Sequence, residues 1–120
     1  MARVADYLII QDNWKSDDKK LNPVKFNVPD NVHTGSRSLL TFVHKAKIDD
    51  STAVRVLING TEVWKWTASG GYDAPARSIQ EVVEANILKP GENLLQWSTG
   101  GSNDDRNEVS DIVLWIQVET

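Results

Sequence analysis

An antiparallel β-sandwich is the fold this sequence predicts, and three observations predict it. Apolar residues recur with period two far more often than with a helical period. The apolar runs are short, and clusters of Asn, Asp, Pro and Gly bound them with turn geometry. Only one stretch carries a helical signal. An open sheet of this size would leave an apolar face in water, so seven or eight strands are expected to pack as two layers. At 120 residues the chain has room for one domain, spanning 1–120.

Taken in order, the first candidate strand is "YLII" at 7–10, followed by the polar loop "DNWKSDDKKLNP". "VKFNV" at 24–28 is a second short strand, and "DNVHTGSRS" a second loop. In "SLLTFVHKAKI", Leu40, Phe42, His44, Ala46 and Ile48 alternate with Thr41, Lys45 and Lys47, the pattern of a half-buried strand. His44 is expected to be a hydrogen-bonded, semi-buried histidine on that strand.

"RVLINGTEVWKW", 55–66, reads as a hairpin closed by Asn59-Gly60. In the simplest two-residue register Val56, Ile58 and Val63 share one face, Leu57, Trp64 and Trp66 share the other, and Arg55 lies across from Trp64. Both faces are then apolar. "SIQEVVEANI" has capping-box spacing between Ser78 and Glu81, so one short helix is expected near 78–86, with an irregular crossover as the alternative. "NLLQW" and "DIVLWIQVE" close the chain, with Ile112, Leu114, Ile116 and Val118 facing one way and Asp111, Val113, Trp115 and Gln117 the other. Trp97 and Trp115, both in strands, are expected to pack in or between the sheets.

Composition narrows the function classes. A formal net charge of −4 would repel a phosphate backbone, so nucleic acid is not an expected partner. The chain has no cysteine, which removes disulfides and thiolate chemistry. The longest apolar runs, "YLII" and "IVLWI", fall far short of the roughly 20 residues of a membrane helix, so no membrane insertion is expected. "MARVADYLII" lacks a signal peptide's basic start and hydrophobic stretch. The product as written is expected in the cytoplasm, with secretion left open if the chain is a fragment or is exported non-classically. No nucleophile elbow, phosphate loop or His-Glu metal helix is present, so no enzyme is expected.

Three pieces between Val56 and Trp97 carry a resemblance: "LING" followed by Val63, "GGY" at Gly70 to Tyr72, and "LKPGENLL" from Leu88 to Leu95. Pro90 presets φ and Gly91 accepts a positive φ before a new strand. In this order the pieces resemble the jelly-roll sugar-binding domain of glycoside hydrolase family two and, more broadly, the galactose-binding-domain-like superfamily. The resemblance implies a jelly-roll sandwich that binds glycans through loops at one end, or shapes a neighbouring domain, without catalysis.

Sugar binding calls for flat aromatic rings with planar amides, carboxylates and Arg nearby. The chain offers five Trp and two Tyr. The candidate ligand-binding residues are Trp14, Trp64, Tyr72, Asp73, Arg77, Asn103, Asp104, Arg106 and Asn107, with Tyr72-Asp73 beside Gly70-Gly71 foremost. Trp64 is equally open to a packing role. No cofactor is expected. The resemblance leaves a structural calcium open at Asp104-Asp105, although neither that pair nor Asp17-Asp18 nor Asp49-Asp50 forms an EF-hand pattern. The main expectation is therefore a non-catalytic carbohydrate-binding module or lectin. The alternative is an assembly domain, a homo-oligomer or a subunit of a larger complex, joined through Leu57, Trp64 and Trp66.

Overall fold

The computed structural model describes residues 2–16, 23–101 and 106–120. Nine strands are described: β1 (Arg3–Gln11), β2 (Lys15–Ser16), β3 (Val24–Val28), β4 (Ser38–Ile48), β5 (Ser51–Ile58), β6 (Thr61–Ser69), β7 (Tyr72–Val83), β8 (Gly91–Gly101) and β9 (Arg106–Glu119). They form two antiparallel sheets, one ordered β1-β9-β4-β7 with β2 also on β9, the other ordered β3-β8-β5-β6. This is a jelly-roll β-sandwich, and no helix occurs among the described residues. Alternation explains the layering: β4 buries Leu40, Phe42, His44, Ala46 and Ile48, and β9 buries Ile112, Leu114, Ile116 and Val118. Against them β5 and β8 turn Val54, Val56, Ile58 and Leu95 inward, all without measurable exposure. Truncating one such side chain to Ala typically costs about 2–5 kcal/mol.

The helix expected near 78–86 is instead the second half of β7. Ser78, Ile79, Gln80, Glu81, Val82 and Val83 pair in turn with Val43, Phe42, Thr41, Leu40, Leu39 and Ser38 of β4. The spacing of Ser78 and Glu81 is local, whereas the ladder to β4 pairs one side of the backbone of a segment rich in β-branched residues, which favour an extended strand. Period two then governs burial: Val83 is fully covered and Val82 stays exposed.

The Asn-Gly turn forms where expected, with Asn59 at φ 50° and Gly60 at φ 84°, both in the left-handed region that a two-residue hairpin loop requires. Asn59 also ties the hairpin to β8, since the Leu94 amide donates to its Oδ1 at 2.9 Å and its Nδ2 donates to Asn93 Oδ1 at 2.7 Å.

The hairpin's register differs from the simple one. Val56 lies opposite Trp64 and Leu57 opposite Glu62, so Val63 is the extra residue of a β-bulge. One added residue reverses every side chain beyond it. Trp64 and Trp66 therefore join Val54 and Val56 on the inner face, and Arg55 pairs with Lys65 and lies 3.9 Å from Glu62 rather than across from Trp64. The second apolar face of Leu57, Trp64 and Trp66 does not exist, and with it goes that route to assembly.

Candidate functional site

The sequence-predicted site residues separate into groups. Asn103, Asp104 and the neighbouring Asp105 lie outside the described residues. Tyr72 opens β7 opposite Ile48, and Asp73 lies opposite Lys47, which pairs on its other side with Arg106 of β9. Asp73 and Arg106 are exposed, so one strand row carries both at the sandwich end formed by the 49–50 and 70–71 turns.

Trp64, Arg77 and Asn107 belong to the interior instead. Trp64 packs edge-on against Phe42 and His44, with ring centroids 5.0 and 5.4 Å apart. Trp66 meets the other side of His44 at 5.0 Å, and the Arg77 guanidinium lies 4.9 Å from the Trp66 ring centre. His44 is fully buried; its Nε2–H donates to Asn107 Oδ1 at 3.0 Å, and Asn107 Nδ2 donates to Thr52 Oγ1 at 3.2 Å. Arg77 Nη2 approaches His44 Nδ1 at 3.4 Å, consistent with the Nε2–H tautomer. Asn107 is 0% exposed and meets no solvent, so it does not serve as a loop ligand for a sugar. Burial without partners would cost each of these groups heavily, and the network answers that cost. Ala46 and Ala74 beside Trp66 leave room for its ring.

An open groove lies on the opposite, outward face of the β1-β9-β4-β7 sheet. It encloses about 490 Å³. Leu39, Val43 and Val113 give it an apolar floor, Trp115 a wall, and Thr41, Ser78, Gln80 and Asp111 its polar groups. Trp115 was expected between the sheets, yet it is 44% exposed, because β9 turns Leu114 and Ile116 inward and its own odd-numbered neighbours outward. The indole does not rotate freely: Nε1–H donates to Thr41 Oγ1 at 3.2 Å, and the Tyr7 ring stands 5.5 Å away, tilted by 41°. Tyr7 and Ile9 are both more than half exposed.

The polar groups are poised differently. Ser78 and Gln80 alternate with inward residues on β7, so their side chains face the groove and make no hydrogen bond to described residues. Trp14 lies farther along the same face. Lys45 Nζ sits 4.3 Å from the centre of its ring and 3.4 Å from Glu108. Leu39, opposite Trp115, and Lys45 are six residues apart on β4, roughly 20 Å at about 3.3 Å per residue. Trp115 thus stands in the groove, and Trp14 stands beyond its lining on the same face, against Lys45. None of the predicted site residues lines the groove. The signal for it was present in the outward-facing positions of the strands: Tyr7 and Ile9, Leu39 and Val43, Val113 and Trp115 are large apolar residues where solvent-facing strands carry polar ones.

Among the described residues no group of three or more His, Asp or Glu side chains is placed to hold a metal ion.

No known family profile matches the sequence, and no curated protein matches it. Solved structures do resemble the fold. Dimeric latent PorU from Porphyromonas gingivalis superposes with a TM-score of 0.74 at 13% identity, over 99% of this chain. The chain spans 13% of the length of that protein. The CBM36-1 domain of a multidomain xylanase, from the hindgut metagenome of Trinervitermes trinervoides, gives a TM-score of 0.53 at 12% identity over 92% of this chain and 96% of its own. A carbohydrate-binding module CBM36 in complex with calcium and xylotriose gives 0.50 at 10% identity over 94% and 98%. At these identities the likeness establishes the fold, a jelly-roll sandwich shared with carbohydrate-binding modules.

Proposed function

We propose that this chain is a non-catalytic carbohydrate-binding domain whose ligand lies in the groove on the outward face of the β1-β9-β4-β7 sheet. One observation carries the reading: an exposed Trp115 held by Thr41 beside Ser78 and Gln80, whose side chains have no protein hydrogen bond among the described residues. An aromatic wall covers the apolar face of a pyranose, and amide and hydroxyl groups meet its hydroxyls. Fold likeness to carbohydrate-binding modules supports the same reading. The described lining holds one carboxylate, Asp111, where glycoside hydrolysis generally uses two. The narrower kinship with the sugar-binding domain of glycoside hydrolase family two rests on the Val56 to Trp97 segment and belongs to this proposal. So does the second, end-loop position around Tyr72, Asp73 and Arg106, with calcium at Asp104-Asp105, a cation that one sandwich of this fold holds together with xylotriose.

The test is a glycan array with purified wild-type protein and Trp115→Ala, with and without calcium. Trp115→Ala is expected to lose at least about tenfold in affinity, the scale of one stacked ring, while melting within a few degrees of wild type. Full retention by Trp115→Ala, with binding lost only when calcium is removed, would move the site to the loop end.

A second reading is favoured by Tyr7, Ile9 and Val82, exposed at 54%, 57% and 43% around the groove. Contiguous apolar surface of this kind also joins subunits, and a dimer by mass in solution that Tyr7→Lys dissociates would support assembly.

A further inference from the structure

Asp111 sits in the groove in a conformation that its own backbone does not favour. Its φ is 52°, a left-handed value that L side chains rarely adopt and that typically marks a turn, a bulge or a functional constraint. The cause is a bulge in β9: Thr41 pairs with Val113 and Val43 with Ser110, so three steps of β9 face two of β4. The Asp111 amide is held by Asp12, whose carbonyl accepts it at 3.3 Å. Ser110 Oγ donates to Asp111 Oδ2 at 2.8 Å, and Oδ1 receives no hydrogen bond from a described residue. Glycine would meet the backbone requirement without a Cβ. The chain instead carries an exposed carboxylate that lines the groove, fixed through one oxygen and open at the other.

We propose that the groove selects neutral glycans and that Asp111 is the selecting residue, accepting hydrogen bonds from adjacent sugar hydroxyls. This rests on the carbohydrate-binding reading of the groove. An ionised carboxylate only accepts, so its ligand must donate, and hydroxyls on neighbouring ring carbons reach one carboxylate together. A uronate or sulfated sugar would bring a second negative charge beside Asp111. No Lys or Arg lines the groove among the described residues to offset it, and Lys45 beyond its floor lies against Trp14 and Glu108. Like charges at such separations disfavour binding.

Titration calorimetry with the neutral hexasaccharides cellohexaose, xylohexaose and mannohexaose, and with anionic hexagalacturonate, tests this on wild type, Asp111→Asn, Asp111→Gly and Trp115→Ala. Wild type is expected to bind at least one neutral chain and to bind hexagalacturonate at least tenfold more weakly. Asp111→Asn, which tolerates a left-handed backbone, should lose about tenfold for the neutral chain, as when one charge-assisted hydrogen bond is weakened, and should narrow the gap to the anionic one. Asp111→Gly should lose the same binding while its melting temperature stays within about two degrees of wild type or rises. If Trp115→Ala loses affinity while Asp111→Asn stays within twofold of wild type, the role of Asp111 is overturned and the groove stands. Equal or tighter binding of hexagalacturonate by wild type also overturns it. If wild type binds none of the four chains, the carbohydrate reading falls and this inference falls with it.

Discussion

Three of the five tryptophans face into the sandwich and two face out. Trp64, Trp66 and Trp97 are half-buried against Phe42, His44 and the core, whereas Trp14 and Trp115 are 43% and 44% exposed. Their chemistry is the same, so composition does not separate them. Position within the pleat does, and two bulges set that position. The bulge at Val63 brings Trp64 and Trp66 inside, where they enclose His44. The bulge at 110–112 throws Asp111 outward while Ile112, Leu114 and Ile116 stay buried, which leaves Trp115 on the outer face. The inner aromatics serve stability; of the outer ones, Trp14 lies against the pair of Lys45 and Glu108, and Trp115 stands beside Ser78 and Gln80, whose side chains make no hydrogen bond to described residues.

His44→Ala should open the widest gap between the two regions. It removes a ring that two indoles flank and leaves Asn107 and Arg77 short of a partner. Cavity and lost hydrogen bonds together cost about 3–5 kcal/mol, a fall of roughly 10–20 °C in melting temperature for a chain of this size. Binding in the groove, measured in the cold where the variant is folded, should stay within twofold of wild type. A fall of less than about 4 °C would contradict the structural role of the network, and a large loss of glycan affinity would contradict the separation of the two faces.

Deleting Val63 sharpens the account of the hairpin with a smaller effect. Because Val63 is the unpaired residue, its removal leaves Val56 opposite Trp64 and Leu57 opposite Glu62 in an uninterrupted ladder. Trp64 and Trp66 keep their inward direction, and the loss is the partial packing of Val63 itself, about 1–2 kcal/mol. Near-ultraviolet circular dichroism should retain the wild-type aromatic signal. Its collapse would mean that the bulge does more than set the direction of the indoles.

Much of the fold was legible because its signals are local. The alternation in "SLLTFVHKAKI" and "DIVLWIQVE" states which side chains are inside, and Asn59-Gly60 states where one hairpin turns. The half of β7 from Ser78 to Val83 was not legible, since the capping-box spacing is visible in four residues while the ladder that overrides it joins residues about 35–45 positions apart. A bulge adds one residue and leaves no mark in composition, so the hairpin's tryptophans were assigned to the wrong face. The groove was legible only as outward apolar positions on separate strands, for a different reason. Its lining comes from outward positions of β4, β7 and β9, and each strand alone shows merely an apolar or polar residue facing solvent. Only the strand order assembles Trp115, Thr41 and Gln80 on one surface, and the strand order is not written in any single segment.

The smallest expected effect concerns the outer face beyond the groove. Lys45 holds Trp14 by its charge, 4.3 Å over the ring, and is itself held by Glu108 at 3.4 Å. At a half-exposed site such a cation–π contact contributes about 0.5–1 kcal/mol, and the ion pair adds little. Lys45→Ala should therefore lower the melting temperature by about 2–4 °C at most. Its consequence for binding depends on ligand length, because Lys45, which holds Trp14, is roughly 20 Å along β4 from Leu39, the residue opposite Trp115. A disaccharide stacked on Trp115 does not reach Trp14, and its affinity should be unchanged. A hexasaccharide spans that distance, so loosening Trp14 should weaken it by about two- to threefold, less so as salt is raised and the wild-type contact is itself screened. Equal losses for the two lengths would place Lys45 in the fold's stability alone, and no loss for the longer chain would confine the ligand to the Trp115 end.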